Sequence, residues 1–300
     1  MKNIFLLIAI LFFSFFTYKI SNCLDISAQS IKPSGQYLVS TKIQNFYDSK
    51  QHRLIPVEIY WPSNYRTENK LSPKLVAENI KAKTIKGVFY AHPEKQKIIF
   101  NQQLQSLGII LINPGNEVAM TDYSYLAIEL ASHGFFVIAI ENQLKDDPKL
   151  IIKETLEETR MAAWQRGVDN NLAVIKELQT KAFSTKLDFN NITLLGHSLG
   201  GDTVMLFARQ YPNLVKNIIS LDNLRIDFPD QEKPKMLILR SQKRQEDQNA
   251  KADINRTIKF GHQLIFIQGA THRMFSDEGN NQVKDQINQA VVNFLNYSHE

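Results

Sequence analysis

From Leu107 onward the chain repeats one pattern, in which an apolar run too short for a helix meets a turn and is followed by apolar residues at three- and four-residue steps. Ile109-Ile110-Leu111-Ile112 stops at Asn113-Pro114-Gly115-Asn116 and reads as a buried parallel strand. Thr121 is placed to cap the next helix, which carries Leu126 and Leu130 and ends at Gly134, a residue suited to the left-handed position past a helix end. Residues 135–140 return as a strand. Met161, Trp164, Val168, Leu172, Ile175 and Leu178 then mark one face of a long helix, read as core. Residues 191–195, 216–221, 235–239 and 264–267 continue as strands, with a helix over 199–208 and a last one carrying Val283, Ile287, Val291 and Phe294. Such alternation implies right-handed crossovers and a mostly parallel sheet covered on both faces, with ligands bound at the carboxyl ends of its strands.

Residues 37–46 and 54–61 are rich in β-branched and aromatic side chains and predict an antiparallel start to the sheet, ended by Pro62, Ser63 and Asn64. Residues 62–107 are polar and mixed, with a short helix predicted around 75–80 and an apolar patch at Val88-Phe89-Tyr90. This stretch reads as an irregular insertion, either a surface excursion or a flap that touches the site or a membrane surface.

The leader is set apart by composition. Residues 4–16 form a nearly unbroken apolar run behind Lys2, shorter than a membrane-spanning helix needs, and predict export to the periplasm or beyond the cell. One route cuts an ordinary signal peptide, residues 1–23, at the small residues Ser21 and Cys23, leaving one domain over 24–300. The other reads Ile20-Ser21-Asn22-Cys23 as a lipobox that anchors the chain through a lipidated Cys23, although Asn22 departs from the usual small residue. Cys23 is the single cysteine, so for the mature chain an internal disulfide, a cysteine nucleophile and a cysteine zinc site are all excluded. Loss of the leader removes Lys2 and Lys19 and no acid, lowering the net charge from +5 to +3. That value, with basic and acidic residues interspersed, argues against nucleic acid as a partner.

Gly196-His197-Ser198-Leu199-Gly200-Gly201 lies between the run ending at Leu195 and the helix starting at Leu199. In that strand-to-helix setting GxSxG exposes a serine hydroxyl on a sharp turn, beside the positive end of a helix, and resembles the nucleophile elbow of the α/β-hydrolase fold. Glycine alone at this short spacing could also be an ordinary connection, so the partners matter. In that fold the chain order is serine, acid, histidine. His262, His272 and His299 follow Ser198; His299 is terminal, and His262 precedes its strand and so sits at the wrong sheet edge, which leaves His272. For the acid, Asp222 directly ends the 216–221 strand, while Glu246 and Asp247 lie beyond the 235–239 strand, the more widespread location. Asp222 is preferred because Arg240-Ser241-Gln242-Lys243 has no carboxylate at its turn. The backbone amide of Leu199 supplies one oxyanion donor, and Gly115-Asn116 the second.

Four segments in order resemble the platelet-activating-factor acetylhydrolase group and, more loosely, the dienelactone hydrolases. They are residues 111–142, with Tyr125 and Leu130-Ala131-Ser132-His133-Gly134-Phe135; residues 196–201; Ser220-Leu221-Asp222; and Thr271-His272-Arg273-Met274-Phe275-Ser276-Asp277. The resemblance implies Asp222 as the acid and Asn116 as the second oxyanion amide. Where the group has His-Gly at the oxyanion loop, this chain has Pro114-Gly115, and proline cannot donate there. The implied activity is a carboxylic ester hydrolase without metal or organic cofactor, acting on a short-acyl or lipid ester. An acyltransferase using the same three residues, or an exported binding protein on a hydrolase scaffold, are the alternatives.

Overall fold

Two long, half-polar strands open the sheet as a hairpin. In the computed structural model, which describes residues 32–63, 98, 100–148, 150, 155–223, 225–246 and 250–297, Leu38–Asp48 (β1) pairs antiparallel with Arg53–Ser63 (β2). The second strand runs two residues further than expected, because Pro62 needs no N–H opposite Val39, and its carbonyl accepts from Asn101 N–H at 3.1 Å. Leu107–Asn113 (β3), Phe136–Ile140 (β4), Leu187–His197 (β5), Asn217–Leu221 (β6), Lys235–Ser241 (β7) and Gln263–Ile267 (β8) complete an eight-stranded sheet. Its order is β1-β2-β4-β3-β5-β6-β7-β8. The β2 and β4 strands are antiparallel, and from β4 to β8 every neighbour is parallel.

Period two along the buried strands supplies both cores. Ile109, Leu111, Ile138 and Ile238 face one layer, and Ile110, Ile112, Val137 and Leu239 face the other. The first layer is covered by Leu156–Gln179 (α2) and Leu199–Gln210 (α3), through Trp164, Val168, Val204 and Phe207. The second is covered by Ser124–Ser132 (α1) and Asn281–Tyr297 (α5), through Leu126, Leu130, Val283, Ile287 and Val291. Helices on both faces of a mostly parallel sheet with an antiparallel amino-terminal hairpin make this the α/β-hydrolase fold.

Several expectations shift. Met161, at the end of the expected stripe, is 37% exposed, while Trp164, Val168 and Leu178 are buried. The α2 helix starts earlier, at a capping box: Thr155 Oγ1 accepts from Glu158 N–H at 3.1 Å and Glu158 accepts from Thr155 N–H at 3.1 Å, worth about 1 kcal/mol. Thr121 caps nothing, since a 3₁₀ turn over Met120–Tyr123 precedes α1. Ala250–Phe260 (α4) escaped the sequence reading because its apolar spacing is thin: Ile254 and Ile258 are both exposed. The predicted leader, the helix near 75–80 and Val88-Phe89-Tyr90 lie outside the described residues. Among those described, no helix is long and apolar enough to cross a membrane.

Candidate active site

The sheet reverses its order between β3 and β5, so the loops leaving these strands diverge and open a crevice at their carboxyl ends. Ser198 follows β5, Asp222 follows β6, His272 follows β8 and Asn116 follows β3. All four therefore reach the same edge.

Ser198 takes φ +53° and ψ −114°, a backbone region costly for any side chain, by about 1–3 kcal/mol. The turn holds because the chain closes on itself without side chains. A Cβ at Gly196 would lie 2.1 Å from the Gly200 oxygen, and one at Gly200 would lie 2.0 Å from the Asn113 oxygen. Ser198 N–H donates to Leu221 O at 3.0 Å, which fixes the elbow to the neighbouring strand end.

Ser198 Oγ lies 2.9 Å from His272 Nε2, and His272 Nδ1 lies 2.7 Å from Asp222 Oδ2. Asp222 is fully buried, and its other oxygen accepts from Ser241 N–H at 2.8 Å. Burial by itself would raise its pKa, but the bonds from His272 and Ser241 more than offset this and hold the carboxyl below its ordinary value. The His272 side chain is 39% exposed, so its ring borders solvent. His262 instead bonds to Gln231 O at 2.9 Å, away from this group. Asp247 and the Glu246 side chain lie outside the described residues.

Behind Asp222, the carboxylate of Asp202 in the first turn of α3 accepts from Arg225 N–H at 3.0 Å, Ile226 N–H at 3.1 Å and Asn223 Nδ2 at 3.3 Å. The segment after the acid is thus fastened to the helix that follows the serine.

The β3 loop is held from three sides. Buried Asn113 accepts from Asn142 Nδ2 at 2.8 Å and Asn171 Nδ2 at 2.6 Å, and donates to Leu195 O at 3.3 Å. Gly115 packs against the serine, where an added Cβ would sit 3.4 Å from Ser198 Cβ. Val118 N–H donates to Gly115 O at 3.3 Å, closing a turn with Glu117 at φ +57°. The Gln143 carboxamide spans that turn, accepting from Glu117 N–H at 2.7 Å and donating to Asn116 Oδ1 at 3.0 Å.

Tyr123 and His197 are components the sequence did not reveal. Both are buried, and Tyr123 Oη lies 3.0 Å from Gly115 N and 2.8 Å from His197 Nδ1. His197 Nε2 lies 2.9 Å from His272 O. Nothing local marks Tyr123, and His197 occupies the unrestricted position of GxSxG. Among the described residues, no group of histidine, cysteine or acidic side chains could hold a metal ion.

A family model described as PETase, PET hydrolase-like, matches residues 98–296. Cutinase est2 of Thermobifida alba is 28% identical over 118 residues, covering 39% of this chain and 35% of that protein. Cutinase 2 of Thermobifida cellulosilytica is 26% identical over 117 residues, covering 39% and 40%. The chain thus spans only about a third of the length of the first curated relative it matches. A ferulic acid esterase from Streptomyces cinnamoneus, 18% identical, superposes with a TM-score of 0.63 over 84% of this chain and 80% of that one, a likeness of fold. The four segments that resemble acetylhydrolases carry features common to the superfamily, and the family match lies elsewhere within it. With two thirds of its length matched by that model, the chain belongs to the PET hydrolase-like family.

Proposed function

We propose that this chain is a serine hydrolase of carboxylic esters, with Ser198 as nucleophile, His272 as general base and acid, and Asp222 as the group that orients His272. The observation that carries this reading is the continuous bonding from Ser198 Oγ through both nitrogens of His272 to Asp222. An ionised Asp222 can only accept, so the Nδ1 proton faces it and the Nε2 lone pair faces the serine.

As Ser198 Oγ bonds to the ester carbonyl carbon, its proton passes to His272 Nε2, and the carbonyl oxygen becomes an oxyanion. The amides of Leu199 and Asn116 stabilise that charge, helped by the amino end of α3. Gly115 is not the donor in this reading, because its N–H is directed to Tyr123. His272 then protonates the departing alcohol oxygen, leaving the acyl group on Ser198, and water attacks through the same sequence in reverse. The names of the cutinase relatives and of the family support an ester as substrate. The acetylhydrolase-like segments support a short-acyl or lipid ester, and the apolar run over residues 4–16 supports export.

The test is hydrolysis of p-nitrophenyl esters from acetyl to long-chain acyl by the chain and by Ser198→Ala. Turnover on at least one ester that Ser198→Ala abolishes is expected. Equal rates for the two proteins would overturn the reading.

A further inference from the structure

The Ser198 elbow carries a second histidine that points the other way. His197 is buried, with its ring centroid 4.9 Å from that of His272, yet its ring nitrogens bond to Tyr123 and to the His272 carbonyl and not to Ser198 or Asp222. Its two ring nitrogens meet two fixed partners, and these determine where the protons are. His272 O can only accept, so His197 Nε2 carries the hydrogen across 2.9 Å. Burial, with His272 beside it, pushes the His197 pKa down to about 4, so the ring is neutral and Nδ1 is an acceptor. Tyr123 O–H must then donate to Nδ1 across 2.8 Å, which leaves the Tyr123 oxygen lone pairs to accept Gly115 N–H at 3.0 Å. Every direction in the chain is assigned, from Gly115 N–H to Tyr123 to His197 to the carbonyl of His272.

We infer that Tyr123 and His197 are positioning residues that hold the oxyanion loop at Gly115-Asn116 and the backbone of His272 in register with Ser198. The relay passes through His197, the residue before the serine, and joins the two loops whose spacing the chemistry needs. It reaches the β3 loop at Gly115, one residue before the amide assigned to the oxyanion, and the β8 loop at the base itself. Gly115 and His272 belong to segments far apart in the chain, and the relay adds a bond from each to the same pair of buried side chains. A displacement of about 1 Å at a reacting geometry costs on the order of a hundredfold in rate. Both members are buried and hydrogen-bonded to backbone, so neither is placed to touch substrate, and they act through the groups they hold. The inference rests on the ester-hydrolase reading of Ser198, His272 and Asp222.

The experiment measures p-nitrophenyl ester hydrolysis by the full chain, with active sites counted by titration with a p-nitrophenyl alkylphosphonate, which forms a phosphonyl ester on the nucleophilic serine as its P–O bond to p-nitrophenolate breaks. Tyr123→Phe removes a single oxygen. It is expected to titrate fully and to lose about tenfold to a hundredfold in kcat per titrated site, with KM within about twofold. His197→Phe, which removes both bonds, is expected to fall at least as far, and His197→Gln, which keeps an N–H able to reach His272 O, to recover part of the loss. Because one relay is broken by either change, Tyr123→Phe combined with His197→Phe is expected to be no slower than His197→Phe alone. Variants that lose titratable sites but keep the original kcat per site would overturn the positioning role and leave Tyr123 and His197 as packing residues. Multiplicative losses in the double variant would overturn the relay. Failure of the original chain to titrate, or persistence of turnover in Ser198→Ala, would instead overturn the hydrolase reading on which the relay depends.

Discussion

Asp277 caps the amino end of α1 at Ser124 from 153 residues away in the chain, accepting from Ser124 N–H at 3.2 Å and Ser124 O–H at 2.7 Å. The same carboxylate accepts from Tyr125 N–H at 3.1 Å, and Asp277 N–H donates to Asp122 O at 2.7 Å. Asp277 stands just past the turn His272–Phe275, so this cap also fastens the loop that carries the proposed base. The Asp277→Ala change removes the acceptor of three donors at a helix end and should cost about 1–2 kcal/mol. Thermal unfolding should show a midpoint lower by about 2–8 °C, and an unchanged midpoint would refute the cap.

Gln143 grips the turn proposed to stabilise the oxyanion with both ends of its carboxamide, one on Glu117 N–H and one on Asn116 Oδ1. Gln143→Ala frees the turn while leaving Ser198, His272 and Asp222 intact. Steady-state kinetics should give a kcat about tenfold lower with little change in KM, because the amide proposed at Asn116 would act on charge that develops only after attack. A rise in KM alone would place the Gln143 contribution in ground-state binding.

Glu58 sits buried on β2, where Thr41 Oγ1 donates to it at 3.2 Å. Burial raises its pKa from 4.5 to about 7, against the opposing effect of the neighbouring Tyr60 and Thr41 hydroxyls. The folded state therefore holds this proton more tightly than the unfolded chain does. Its contribution to stability is complete below about pH 4.5 and is lost as pH rises through about 7. At about 1.4 kcal/mol per pH unit, the ionised carboxyl costs the fold about 3 kcal/mol above that range. Glu58→Gln should unfold at a higher temperature than the original chain at pH 8 and lose that advantage at pH 5. An equal difference at both values would show that Glu58 does not titrate on folding.

Asp222→Asn keeps the size of the side chain but forfeits the carboxylate that fixes the His272 tautomer. Ester hydrolysis should fall by about three to four orders of magnitude. Amides at both Glu246 and Asp247 should leave the rate within about threefold. The reverse pattern would move the acid from the end of β6 to the loop beyond β7.

The strands of the buried sheet were legible because apolar residues on both faces leave no polar alternation, and short runs bounded by turn residues have few other solutions. The elbow was legible for a related reason: Gly196 and Gly200 are demanded by backbone contacts of 2.1 and 2.0 Å, so the need for glycine is written at fixed spacing. Helix α4 was not legible, because its exposed Ile254 and Ile258 give a weak pattern and its order comes from packing against β8. Nor was the start of α1, whose cap lies near the other end of the chain. Local propensity points to Thr121 as the cap, whereas the folded chain brings Asp277 to that helix end.

The sequence by itself determined the alternating strands and helices, the turn that presents Ser198 and the short roll of residues able to serve it. Those features follow from local sterics, apolar period and chain order. Only the tertiary structure decided which distant groups meet: His272 with Ser198 and Asp222, Gln143 with the Asn116 turn, and Tyr123 with His197 between two loops. A hydrogen bond acts over about 3 Å, and contacts that short between residues scores of positions apart are set by the packing of the sheet, which local sequence does not encode.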